Sequence, residues 1–118
     1  MKKNYYIKKT EKLLENYAEM KITLEYYTEL VEADALPIRK AEVVRAKISH
    51  MSSATSAIER ALDALTSTER DIITGLYFIK EQTFFDVCDA CALERSSVYR
   101  YRASAIKKIA RFLYSVRI

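Results

Sequence analysis

Along residues 4–33, side chains that suit a buried stripe recur at alternating steps of four and three, through Tyr6, Thr10, Leu13, Tyr17, Met20, Leu24, Tyr27 and Val31. This is the spacing of a coiled-coil seam about four heptads long. A second seam runs through residues 40–65 by way of Val44, Ile48, Met51, Thr55, Ile58, Leu62 and Leu65. Between the two, Pro37 holds Leu36 in an extended conformation and can itself begin a helix, so the pattern predicts a helical hairpin. An antiparallel pair within one chain and a pair made from two chains satisfy the same stripes, and the aromatic seam positions do not decide between them. The reading is a hairpin that also forms a homodimer through residues 4–65.

Past residue 65 the predicted helices are shorter and their starts are marked. Thr66 and Glu69 stand at capping-box spacing ahead of Ile72, Ile73, Leu76 and Tyr77, and Lys-Glu-Gln at 80–82 then breaks the pattern. Thr83 and Asp86 repeat the box at the head of a fourth segment. A fifth helix is predicted from Arg95 to Tyr114. At about 100° per residue, Val98, Tyr101, Ala105, Ile109 and Phe112 share one stripe of it, and Ser96, Arg100, Ala103, Lys107 and Arg111 the opposite one.

Composition narrows the class. One Gly and one Pro in 118 residues leave almost no material for β-hairpins or glycine-rich phosphate loops. The expected fold is all-α: an N-terminal helical hairpin or coiled coil (residues 1–65), then a C-terminal helix-turn-helix domain (residues 66–118). No apolar run approaches the roughly 18 residues that span a bilayer, and the first residues do not resemble a signal peptide. A cytoplasmic protein with no membrane partner is expected.

The net charge of +4 is unevenly placed. Residues 1–65 are nearly balanced and residues 66–94 are acidic, whereas residues 95–118 carry seven basic side chains and no acidic one. Lys and Arg aligned on one helix face gain counterion release from a phosphate backbone, so double-stranded DNA is the expected partner.

The segment from Thr83 to Arg102, TFFDVCDACALERSSVYRYR, has the order of a helix-turn-helix: a capped helix, a tight turn and a second, arginine-rich helix. Val87, Cys91, Val98 and Tyr101 supply its apolar contacts, Cys88 the small side chain at the closest approach, and Ala92 and Leu93 the turn. Together with the preceding LTSTERDIITGLYF, it resembles region four of the bacterial sigma factors. It is still more similar to the phage late-gene activators of the RinA and ArpU kind, over about residues 65–112. The resemblance implies a sequence-specific transcription regulator, phage or prophage encoded, whose recognition helix reads the major groove. Its base-contacting residues by position are Arg95, Ser96, Tyr99 and Arg100. Thr83, Ser97, Lys107, Lys108 and Arg111 are the expected phosphate contacts. RNA polymerase is a further partner the resemblance allows.

Two positions depart from that pattern. Ala92 stands where glycine is usual, which brings strain if its φ is positive, and Glu94 replaces the usual Ser or Thr cap.

Other chemistry finds little footing. Cys88 and Cys91 form a C-x-x-C, but no second cysteine pair exists, His50 is the sole histidine, and no strand precedes the helix, so core packing is the reading. No nucleophile and base pair, carboxylate constellation or nucleotide loop is visible, hence no enzyme, metal or cofactor is expected. Two alternatives remain open: a DNA-packaging component like a small terminase subunit, and an adaptor that binds RNA polymerase without touching DNA.

Overall fold

Long runs of good helix formers, interrupted only where the chain supplies a stop, produce α1 (Lys2–Glu32), α2 (Ile38–Leu62), α3 (Ser67–Ile73), α4 (Phe84–Cys91) and α5 (Arg95–Tyr114). The computed structural model describes residues 2–115, and the described residues contain no strand. Arg117, part of the basic C-terminal segment, lies outside them. No helix among the described residues is long and apolar enough to cross a membrane.

Each boundary has a local cause. At the end of α1, Asp34 takes a left-handed conformation (φ 52°). There Ala35 N donates to Leu30 O at 3.1 Å and Asp34 N to Val31 O at 3.1 Å, which satisfies two orphan carbonyls. Pro37, with φ −56° and ψ 150°, is the N-cap of α2. Both capping boxes form: Thr66 with Glu69 at α3, and Thr83 with Asp86 at α4. After Ile73 the helix widens into a π-helical turn, Thr74–Phe78, in which Gly75 is buried. A Cβ on Gly75 would sit 2.9 Å from Val87 Cγ2 and 3.1 Å from Gln82 Oε1, so the missing side chain is what lets α4 close on this turn.

α1 and α2 run antiparallel. Tyr17 of α1 donates to Glu59 near the end of α2, whereas Thr23 and Tyr27 share a groove with Val43 and Met51 nearer its start. Two buried threonines on this pair are satisfied by carbonyls of their own helix: Thr10 donates to Tyr6 O at 2.8 Å and Thr55 to Ser52 O at 3.2 Å.

The boundary drawn at residues 65 and 66 does not divide the core. Leu14 of α1, Ile58 and Ala61 of α2, Ile73 of α3, and Ala105, Ile106 and Ile109 of α5 form one buried cluster. Leu14 is fully buried although it lies off the first seam, because α1 packs on α5 as well as on α2. Arg102 fastens the same junction. Its Nε donates to Tyr77 Oη at 2.9 Å and its Nη2 to Glu11 Oε2 at 3.2 Å. A second cluster, Ile72, Val87, Cys88 and Val98, joins α3, α4 and α5.

Candidate nucleic-acid interface

The α4–α5 unit is built from its caps inward. Thr83 Oγ1 accepts from Asp86 N at 3.2 Å, and Asp86 Oδ2 accepts from Thr83 N at 2.8 Å. The Thr83 amide, with its hydroxyl, holds the Asp86 carboxyl below the ordinary carboxylate value. At the other end of α4, Leu93 N donates to Cys88 O at 3.0 Å and Ala92 N to Asp89 O at 3.2 Å. This is a Schellman turn with Ala92 as its left-handed residue, φ 53° and ψ 43°. The strain foreseen at that position is therefore present. Glu94 is the N-cap of α5 and its side chain makes no cap bond.

Val87, Cys88 and Val98 are buried between the helices, with Cys91, Leu93 and Tyr101 packed around them. Both cysteines are free thiols, and burial, followed by the charge of Asp71, pushes the Cys91 thiol up. Among the described residues, no group of three or more His, Cys, Asp or Glu side chains is arranged to hold a metal ion.

With the apolar stripe of α5 against the core, its opposite face turns outward. Arg95, Ser96, Tyr99 and Arg100 are all exposed. The Tyr99 ring stacks on Phe84 at 4.5 Å between centroids with 27° between planes. The Arg95 guanidinium lies 5.4 Å from the centroid of Phe85, itself 61% exposed. Arg100 Nη2 donates to Ser97 Oγ at 3.5 Å. The first turn of α4 thus steadies two side chains of α5 through aromatic contacts. The Phe84-Phe85 pair was missed from sequence; adjacent aromatics in the first turn of a capped helix were the available signal.

Further along, Arg100, Ala103, Ser104, Lys107, Lys108 and Arg111 line a shallow hollow of about 310 Å³ on the same helix. Lys107 and Arg111 are exposed. Lys108 is placed differently from Lys107. Its Nζ lies 2.8 Å from Glu69 Oε1 and its side chain is only partly exposed, so its ammonium is paired with a carboxylate on α3. The residue falls between the two stripes, near enough to the buried side for its ammonium to reach a carboxylate on α3. Phe112 departs in the other direction: assigned to the buried stripe, it is 48% exposed. Thr83 is exposed and its hydroxyl already accepts the cap bond; Ser97 is half-buried.

The chain matches no known family model, no curated protein and no solved structure.

Proposed function

We propose that this protein is a sequence-specific, double-stranded-DNA-binding transcription regulator of the phage or prophage late-gene kind. In this reading α1 and α2 form a hairpin, α4 and α5 act as a helix-turn-helix, and the N-terminal half of α5 enters the major groove. One observation carries the reading: the outward face of α5 is basic, residues 95–118 contain no acidic side chain, and the residues at its leading end are left uncovered by the rest of the fold.

The division of labour follows from chemistry. Arg95 and Arg100 bring planar, bidentate donors suited to guanine O6 and N7, and Ser96 brings an adaptable hydroxyl. Tyr99, backed by Phe84, offers its edge to a thymine methyl or its hydroxyl to a phosphate. In this reading Lys107 and Arg111 meet phosphates and contribute affinity without reading sequence.

Duplexes recovered from a random library by the purified protein, and then titrated in fluorescence anisotropy, test the proposal. Wild type should prefer the recovered duplex over a scrambled one. The Arg95→Ala, Arg100→Ala double variant should lose that preference, at about 1–3 kcal/mol per lost bidentate contact. Unchanged preference in the variant would count against the assignment.

A further inference from the structure

α1 meets α5 and the π-helical turn in its first half, through Glu11, Leu14 and Tyr17. Its second half continues beside α2 as an arm, in a molecule 52 Å long and 22 Å thick. One lateral face of that arm is an apolar trough. A hollow of about 500 Å³ is lined by Thr23 and Tyr27 from α1 and by Val43, Ala46, His50 and Met51 from α2. Past Val43 and Lys47 it continues into a second hollow of about 380 Å³ that reaches Leu36. The α2 side of the trough is basic, with Arg39, Lys40 and Lys47 along it.

The same chain carries the complementary shape. Ile22, 62% exposed, and Tyr26, 57% exposed, make an apolar ridge on the outer side of α1. Glu19, Glu25 and Glu29 are exposed and flank that ridge at helical spacing. At about 100° per residue, Thr23 falls between the ridge and the α2-facing seam of α1, to which Tyr27 belongs. Trough and ridge therefore belong to one continuous side of the arm. In a two-fold pairing with each ridge facing the other copy's trough, apolar surface would meet apolar surface and glutamate would meet arginine and lysine.

We propose that a second copy of this chain docks on this face, the acidic ridge of each α1 seated in the basic-rimmed trough of the other copy's arm. The pairing stands without DNA; only its consequence, two α5 helices set for half-sites about 10 bp or a multiple apart, rests on the proposed function.

Sedimentation equilibrium on the full chain without DNA tests it. Wild type should be a dimer. Glu25→Lys with Glu29→Lys sets a basic ridge against a basic trough, and Arg39→Glu with Lys47→Glu sets an acidic ridge against an acidic trough. Each should raise the dimer dissociation constant at least about tenfold. An equimolar mixture of the two should restore pairing, because both junctions of the mixed dimer are complementary. Val43→Ser, at an exposed position, should weaken the dimer with no change in charge, and circular dichroism checks that every variant keeps its helices. A wild-type monomer up to about 100 µM, a dimer indifferent to both charge reversals, or a mixture that stays monomeric would each overturn the proposal. The Arg95→Ala, Arg100→Ala variant should still dimerise, so a failed DNA reading and a failed pairing remain distinguishable.

Discussion

Lys108 Nζ lies 2.8 Å from Glu69 Oε1 across the contact between α5 and α3, and the Glu69 side chain is almost wholly sealed from solvent. The same carboxylate accepts from Ser104 Oγ at 2.8 Å and from Thr66 N at 2.9 Å. It is at once the second half of a capping box and the anchor of the helix that carries the basic face. Removing one partner of such a pair leaves a buried charge short of donors. Lys108→Met should lower stability by about 1–3 kcal/mol in urea unfolding, the lower end reflecting the bonds that Thr66 and Ser104 still supply.

That carboxylate also makes stability depend on pH. Burial pushes the Glu69 acid up, but Lys108, the Thr66 amide, Ser104 and the Thr66 hydroxyl together bring it down from its ordinary 4.5 to about 2. A folded-state value below the unfolded one gives a contribution that is complete above about pH 4.5 and fades as the pH falls toward 2. Unfolding free energy measured between pH 5 and pH 2.5 should therefore drop more steeply for wild type than for Glu69→Gln. Equal slopes in the two proteins would remove Glu69 from the account.

Ala92 sustains φ 53° where glycine pays no steric cost. Ala92→Gly should stabilise the protein by about 1 kcal/mol, and Ala92→Val should destabilise it. Thermal unfolding of the two variants beside wild type is the check.

Gly75 supplies the opposite test. A methyl group there would press on Val87 Cγ2 at 2.9 Å, and Val87 is a branched, buried side chain. Gly75→Ala should cost about 1–3 kcal/mol in urea unfolding while leaving the α1–α2 arm and its self-association intact.

Lys107 and Lys108 are neighbours in sequence with different fates, and DNA binding should tell them apart. If Lys107 meets a phosphate, Lys107→Ala reduces the slope of log affinity against log salt by about 1. Lys108→Ala should leave that slope unchanged, because its ammonium is committed to Glu69.

Those two lysines also mark how far the chain can be read without coordinates. Local chemistry was legible: both threonine caps, the break at residues 80–82, the turn at Ala92 and the outward face of α5 all depend on residues within a few positions of one another. Contacts between distant segments were not. A single seam assigned to α1 accounts for one neighbour, and so misses Leu14, which is buried because a second neighbour, α5, packs there. A helical wheel places Lys108 between its stripes and cannot know that Glu69 waits on α3. Nor does any periodicity announce that Ile58 and Ile109 share a core across the expected domain boundary.

The most direct test of the groove-entry claim is a titration of isotope-labelled protein with a duplex selected from a random library, followed by amide chemical shifts in nuclear magnetic resonance. The account expects the largest shifts at residues 83–85 and 95–100, with the trough around Val43 unmoved. Shifts concentrated on α1 and α2, or none on α5 at saturating DNA, would contradict it.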